Sequence, residues 1–378
     1  MTMGPPTGRD RFMDVLRLGS LFVMVAGHWL GVVPSVQGGV IAGVMVYDVD
    51  PHYWPATWLF DVVPLFFFVG GFANAISYRR LREAGRASEF RRRRLARLLV
   101  PTLIFIGVWL VVEATLTIVD VGGPGPLRGM RWGFMTPFAP LWFLGVYLVV
   151  VLLVPTTLRL HEAFGILVPA AMVAGVLAVD CLAFGLHQPG LLGINIVLAW
   201  LLPSQLGYFY ADGRLQRVPA HSWGWFAAGL LVLLAVLTSL PWYGRNLLDN
   251  GVTIIGITAP TTPFVVLSML AIAVAMVMRN WLERQLDVPG VKAAVMRLTP
   301  LAMTMFLWHM TSYFAAIALM ATILVPFPAA PNSTWWLERP LFLLLPAVLL
   351  LPLMWLFGRF ESMPWDRPRR TPFAAVGQ

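Results

Sequence analysis

Ten apolar stretches, each long enough to form a helix that crosses a membrane, recur along this chain of 378 residues. A transmembrane helix needs about 17 to 25 predominantly apolar residues. The stretches lie near residues 12–33, 58–78, 95–119, 140–158, 163–182, 192–210, 222–240, 263–279, 300–324 and 340–358. Because 58% of the residues are hydrophobic and only 12% are charged, a soluble core could not bury them all. We therefore expect an all-α integral membrane protein, a single bundle of about ten transmembrane helices.

The distribution of basic residues predicts how this bundle is oriented. If the N-terminus is cytoplasmic, only four of the 27 Lys and Arg residues fall in outer loops, namely Arg128, Arg131, Arg245 and Arg339. Loops on the cytoplasmic side carry the excess of Lys and Arg. We therefore expect residues 1–11 to be a cytoplasmic N-terminus, 12–358 the transmembrane domain and 359–378 a cytoplasmic tail, in a bacterial inner or plasma membrane with lipid as a partner.

The remaining polar features exclude some classes of function. The net charge of +9 follows from the topology and does not indicate nucleic-acid binding, because no soluble domain organises the arginines. The single cysteine, Cys181, cannot form an internal disulfide or a cysteine cluster for a metal, and its apolar setting predicts a buried thiol. We expect Asp180 at the membrane interface, and solvated roles for four histidines at the ends of stretches or in loops: His52, His161, His187 and His221.

The first apolar stretch carries ionisable residues at a helical spacing. The 11-residue step from Arg17 to His28 corresponds to about three helical turns, so the two side chains share one face about 16 Å apart, and Asp14 lies on the same stripe. Ionisable groups inside a membrane are costly and usually face a bundle interior or a water-filled cavity. These residues therefore predict a functional site.

A second cluster of charge precedes the third stretch. Nine arginines fall within residues 79–97, and most of them fit anchoring at the cytoplasmic surface and contact with anionic lipid. Arg94 and Arg97 differ, because they are three residues apart at the entrance of the stretch. There, guanidinium groups can turn inward and hold phosphates bidentately, although simple anchoring is the alternative.

These motifs together resemble acyltransferase family 3, whose membrane proteins move acyl groups from cytoplasmic acyl-CoA onto cell-envelope acceptors. The resemblance covers most of the chain, and the motifs appear in the order of the family. They are Asp14-x2-Arg17-x10-His28, the segment 64–72 (PLFFFVGGF), Phe90-x3-Arg94-x2-Arg97-Leu98-x2-Pro101, the segment 141–144 (LWFL), the segment 306–309 (FLWH) and Phe360-Glu361-x2-Pro364.

The resemblance implies roles for the ionisable residues of the first stretch. Transfer from a thioester to a hydroxyl needs a base or a transient acyl carrier, and an imidazole serves either way, so His28 is the expected catalytic residue. Arg17 would orient that face or contact the CoA phosphates, and Asp14 would pair with Arg17. Arg94 and Arg97 would bind the phosphates of CoA.

Three further residues are candidates for the same site. His309 is either a second catalytic group or a hydrogen-bonding link between helices. Glu113 and Asp61 either orient a histidine or the acceptor hydroxyl, or form interhelical pairs. We expect no metal and no tightly bound cofactor, with an acyl-CoA, most simply acetyl-CoA, as cosubstrate.

The sequence therefore predicts a membrane O-acyltransferase that moves a short acyl group, such as acetyl, to a hydroxyl of an envelope carbohydrate, glycolipid or exported molecule. The alternative is an envelope lipid or glycan transporter or flippase, whose helices would break at prolines such as Pro155, Pro169, Pro203, Pro260 and Pro346. A non-catalytic scaffold ranks last, because it leaves the cost of burying Arg17 and His28 unexplained. The acceptor, the acyl chain length and the oligomeric state stay open.

Overall fold

The computed structural model describes residues 10–37, 40–119, 137–138, 140–248, 251–254, 257–323 and 327–361. Within those ranges, ten helical segments are long and apolar enough to cross a membrane, which confirms the all-α, multi-span prediction. Arg128 and Arg131 lie outside the described residues, as do residues 1–9 and 362–378 of the two predicted termini.

The first half of the chain is mostly helical. Its helices are α1 (Arg11–Gly31), the short α2 (Val46–Val49), α3 (Trp54–Phe60), α4 (Val63–Glu83), α5 (Glu89–Val119), α6 (Leu141–Phe164), α7 (Leu167–Gly185) and α8 (Gly193–Ala211). An antiparallel hairpin of β1 (Val32–Gln37) and β2 (Val40–Met45) follows α1 directly, with Val32 opposite Met45.

The second half of the chain is also mostly helical. It contains α9 (Ala220–Ser239), the two-residue antiparallel strands β3 (Thr253–Ile254) and β4 (Ile257–Thr258), α10 (Thr262–Gln285), α11 (Pro289–Leu298), α12 (Ala302–Thr322) and α13 (Ser333–Phe357). Helices α6, α8 and α13 run continuously through their internal prolines, so these prolines do not break the helices.

Local sequence signals set several of these helix ends. Asp10 begins α1 by accepting a hydrogen bond from the backbone N–H of Met13 at 2.9 Å, and Asn332 begins α13 by accepting one from Trp335 at 2.8 Å. Gly165 ends α6 at φ +55°, a left-handed conformation that favours glycine. Capping residues at these positions explain why the helices start and stop where they do.

Some helices extend beyond the apolar stretches. α4 continues to Glu83 and α5 begins at Glu89, because arginine is a good helix former whose long side chain can reach the surface. α13 begins at Ser333, and this corrects the prediction that Arg339 lies in an outer loop. Arg339 is inside the helix and only 4% exposed.

Two further predictions about burial were wrong. Cys181 is exposed, because much of α7 faces the perimeter of the bundle, where lipid lies. Asp180 is fully buried rather than interfacial, because its carboxylate accepts hydrogen bonds from three side chains, those of Asn195, Tyr243 and Thr262. A carboxylate satisfied in this way joins three parts of the bundle.

The closest helix crossing in the bundle joins α4 and α8. A Cβ atom added at Gly71 would meet the backbone of Ser204, and one added at Gly207 would meet the backbone of α4 at Phe68 and Phe72. Small residues let membrane helices approach in this way. Gly71 therefore permits close contact between the two helices, and Phe67, one turn earlier on α4, packs as a core residue with no exposed surface.

Helix α1 lies at the centre of the bundle. It contacts α4, α10, α12 and α13, so the residues along it face the interior of the protein on several sides. Because α1 carries both Arg17 and His28, this placement brings the candidate residues of other helices toward it.

Candidate active site

Two histidines from distant parts of the chain meet inside the bundle. His28 near the end of α1 and His309 in the first half of α12 have ring centroids 5.2 Å apart, at an interplanar angle of 50°. His309 is completely buried, whereas His28 keeps part of its surface exposed. The structure therefore places the two predicted histidines in one site, with His28 the more accessible of the two.

Each imidazole uses the same nitrogen to hold its orientation. Nδ1 of His28 lies 3.0 Å from the carbonyl oxygen of Met24, and Nδ1 of His309 lies 2.7 Å from that of Phe306. A carbonyl only accepts, so each Nδ1 carries the hydrogen, and each neutral ring keeps its Nε2 as a basic lone pair. Nε2 of His309 has no hydrogen-bond partner among the described residues, although it is buried.

The backbone of α12 is fixed against α1 at the same place. The indole N–H of Trp29 donates to the carbonyl oxygen of His309 at 3.1 Å, and the hydroxyl of Ser312 donates to the same oxygen at 2.8 Å. Both bonds are buried. Because Trp29 is adjacent to His28, this link holds the two histidines in register.

A carboxylate holds the beginning of α12. Glu361 accepts hydrogen bonds from the backbone N–H groups of Met303 and Thr304, both at 2.9 Å, and from the Thr304 hydroxyl at 2.8 Å. Burial raises the pKa of Glu361, although these donors oppose the effect. Glu361 therefore acts as an anchor for the helix that carries His309, a role the sequence alone did not indicate.

The predicted arginines gather about three turns of α1 away from His28, at the end of the bundle that the charge distribution assigns to the cytoplasm. Arg94 lies within electrostatic range of Arg17, Arg97 and Tyr147, and Arg97 lies in turn within range of Glu361. Like charges are expensive to hold together inside a protein. Such a cluster is suited to bind an anion.

Arg94 points inward, unlike its neighbours. Its Nη2 donates to the carbonyl oxygen of Ala73 at 2.8 Å, and its buried Nε has no partner among the described residues. Asn74, the next residue on α4, is fully buried, and neither atom of its amide has a partner in the described part of the chain. Unpaired buried polar atoms are costly, so this wall of the bundle is suited to receive a polar ligand.

Four other arginines of this region form ion pairs with acidic residues. Arg79 and Arg82 bond to Glu162, Arg79 also bonds to Asp212, and Arg86 and Arg93 bond to Glu89, at distances of 2.7–3.2 Å. Most of these groups are partly exposed, so each pair adds little stability. These ion pairs make the four arginines a feature of the surface, whereas Arg94 turns inward.

The remaining candidates differ in their burial. Asp61 is 3% exposed in the break between α3 and α4, where one carboxylate oxygen has no partner among the described residues. Glu113 is half-buried in α5, and Asp14 is half-buried in the first turn of α1. Nδ1 of each histidine bonds to a backbone carbonyl, which already orients both rings. The roles of Asp61 and Glu113, in orienting the acceptor hydroxyl or in interhelical pairing, stay predictions.

His161 is the histidine whose setting the sequence predicted wrongly. It is 2% exposed, its Nε2 lies 2.8 Å from the carboxylate of Asp212, and its Nδ1 lies 2.9 Å from the amide nitrogen of Gln205. Burial opposes ionisation of Asp212, but hydrogen bonds from His161 and Arg79 outweigh it and lower the pKa of Asp212. This network ties α4, α6 and the end of α8 together.

Comparison with known proteins identifies the family of the chain. The acyltransferase domain family Acyl_transf_3 matches residues 10–359, which include all the helices that carry the two histidines and the arginine cluster. No curated protein and no solved structure matches the chain. Since the match extends over nearly the whole length, the chain belongs to acyltransferase family 3 and is a multi-pass membrane acyltransferase.

Proposed function

We propose that this protein moves a short acyl group, such as acetyl, from cytoplasmic acyl-CoA to a hydroxyl of an envelope carbohydrate, glycolipid or exported molecule, with His28 as general base. The observation that carries this proposal is the pair of histidines whose Nδ1 atoms are committed to the backbone. Their Nε2 atoms stay basic, and His28 is the one with exposed surface.

The chemistry follows from that tautomer. Nε2 of His28 takes the proton of the acceptor hydroxyl while the hydroxyl oxygen attacks the thioester carbonyl carbon. The new C–O bond forms, the C–S bond breaks, and the proton on the imidazolium passes to the departing CoA sulfur. His309 lies against the His28 ring, and its buried Nε2 is placed to accept a hydrogen bond from a reacting group.

The position of the arginines fits the donor. Arg17 and His28 are separated by about 16 Å along α1, a distance that an extended phosphopantetheine arm covers. With its phosphates on Arg17, Arg94 and Arg97, acyl-CoA would present its thioester near His28. The amide of Asn74, unpaired in the described residues, is suited to pair with an amide of the pantetheine arm.

The test is transfer of labelled acetyl from acetyl-CoA by purified protein in lipid nanodiscs, with an extract of envelope material as acceptor. We expect label on a hydroxyl acceptor with the parent protein, and its loss in a folded His28→Ala variant. His52→Ala is the matched control, because the His52 side chain is 94% exposed in a loop. Equal transfer by the His28→Ala variant and the parent would refute the role of His28.

The same assay without acceptor separates the two possible roles of His28. If His28 is a base, protein quenched after exposure to labelled acetyl-CoA carries no label. Label on the parent protein that the His28→Ala variant lacks would instead assign His28 as a transient acyl carrier. If no acyl-CoA serves as donor while movement of an envelope lipid persists, the transporter alternative replaces the proposal.

A further inference from the structure

A buried arginine lies on the outer side of the histidine pair, where the proposed donor does not reach. Arg339 of α13 is 4% exposed. Its Nη1 donates to the carbonyl oxygens of Leu30 and Val32, at 3.3 and 3.1 Å, and its Nε donates to that of Trp335 at 3.0 Å. The guanidinium is therefore held at the end of α1, just beyond His28.

Two aromatic rings enclose this guanidinium. Its central carbon lies 4.0 Å from the ring centroid of Trp335 and 3.9 Å from that of Phe342. Both rings are almost completely buried. Such contacts stabilise a cation and fix its plane, so Arg339 is held in one orientation.

The hydrogen bonds to α1 leave part of the guanidinium unused. Nη2 of Arg339 is buried and has no partner among the described residues. The adjacent carboxylate of Glu338 lies within electrostatic range of Arg339, but one of its own oxygens is also buried without a partner there. The carbonyls at the end of α1 supply only partial negative charge. A pair of guanidinium N–H groups therefore remains unsatisfied among the described residues, and a bound anion would satisfy it most favourably.

A second unpaired group lies beside it. Tyr313 of α12 is 1% exposed, is within electrostatic range of Arg339, and packs against the same Phe342 ring with centroids 6.4 Å apart. Its hydroxyl is buried without a partner among the described residues. Because Tyr313 follows His309 by four residues, the two side chains lie one above the other on one face of α12.

We infer that Arg339 and Tyr313 bind an oxyanion, a carboxylate or a phosphate ester, carried by the acceptor whose hydroxyl His28 activates. The guanidinium fork matches such groups bidentately, and the phenol adds one donor. The subsite is on the outer side of the two histidines because α1 and α12 both run outward from the cytoplasmic end. The inference rests on the proposed function only for the identity of the ligand as acceptor.

The experiment compares two probes that differ only at C6 of the sugar, where octyl glucuronide carries a carboxylate and octyl glucoside a hydroxymethyl group. Equilibrium binding and acetyl transfer are both measured with the protein in neutral phosphatidylcholine nanodiscs. We expect the parent to bind the glucuronide about tenfold to a hundredfold more tightly than the glucoside, the range expected of a charge-assisted hydrogen bond. The Arg339→Gln variant should lose this preference.

Further variants separate binding from folding. Tyr313→Phe removes only the hydroxyl and should reduce the preference several-fold, and Arg339→Lys should keep part of it because the charge remains. Arg245→Gln is the matched control, since Arg245 is another arginine of the outer side, 5.9 Å from the ring of Trp54. It should leave the preference unchanged.

The outcomes also separate this inference from the proposed function. If the parent protein transfers acetyl to neither probe but still binds the glucuronide more tightly, the result would count against the acyl-transfer proposal and support the oxyanion subsite. Equal binding of the two probes by the parent, or an unchanged preference in the Arg339→Gln and Tyr313→Phe variants, would overturn the inference. If phosphatidylglycerol displaces the glucuronide only when Arg339 is present, the oxyanion belongs to a lipid headgroup and the assignment to the acceptor is wrong.

Discussion

The crossing of α4 and α8 predicts a large effect from adding one methyl group. In Gly71→Ala, the new Cβ would lie within 2.7 Å of the carbonyl carbon and the Cα of Ser204 and still closer to its carbonyl oxygen. These atoms belong to a neighbouring backbone, so no side-chain rotation relieves the overlap and the helices must separate. Overpacking of this kind costs about 1–3 kcal/mol.

The magnitude follows from two opposing terms. Alanine in a helix interior is favoured over glycine by about 0.5–1 kcal/mol, so we expect Gly71→Ala to lower the free energy of unfolding by a net value of about 1 kcal/mol. Gly145→Ala in α6 is the matched control, because nothing lies within 4 Å of an added Cβ there. The same substitution at that position should be neutral or slightly stabilising.

The assay is reversible unfolding in mixed detergent and SDS micelles, followed by circular dichroism and tryptophan fluorescence. Gly207→Ala should resemble Gly71→Ala, since its Cβ would meet the backbone N of Phe72 at 2.6 Å. The double variant should lose less than the sum of the two single losses, because the helices separate only once. Equal stabilities for Gly71→Ala and Gly145→Ala would refute the close crossing.

Three other predictions concern the cytoplasmic side and the anchor of α12. Arg94→Gln should raise the dissociation constant of acyl-CoA about tenfold in a direct binding measurement, while Arg93→Gln, which removes only a surface ion pair, should not. Glu361→Gln should reduce the free energy of unfolding by about 1–2 kcal/mol and slow acetyl transfer, because the beginning of α12 loses its charged cap. The pKa of Asp212 is lower in the folded protein, so ionised Asp212 stabilises the fold above the ordinary aspartate pKa of about 4. This stabilisation is lost as the pH falls through the lower folded-state pKa. Asp212→Asn should therefore flatten the acid limb of a plot of stability against pH.

The sequence predicted those features that depend on membrane cost and helical period. Apolar length alone defines the ten spans, and the spacing of Arg17 and His28 places both on the central helix. The inward turn of Arg94 was also indicated by its position at the entrance of the third apolar stretch. Each of these signals lies within one helix and needs no knowledge of its neighbours.

Features that depend on contacts between distant segments could not be predicted in this way. Arg339 lowers the hydropathy at the start of α13, so the sequence predicted that the span begins after this residue. In the structure, carbonyls of α1 and two aromatic rings hold Arg339 inside the bundle. His161 and Asp180 looked like polar residues at span ends, because their partners lie 15 to 82 residues away in the chain. The sequence gives the residue type, but only the fold shows what surrounds it.

The central claim is that His28 performs acyl transfer from acyl-CoA, and a single-turnover measurement tests it most directly. Parent protein and a His28→Gln variant in nanodiscs would be mixed with limiting acetyl-CoA and acceptor, with release of CoA followed in time and binding of acetyl-CoA measured separately. We predict that the variant binds acetyl-CoA as the parent does but releases CoA about 10²- to 10⁴-fold more slowly. Release at the parental rate by a variant that binds acetyl-CoA normally would contradict the account.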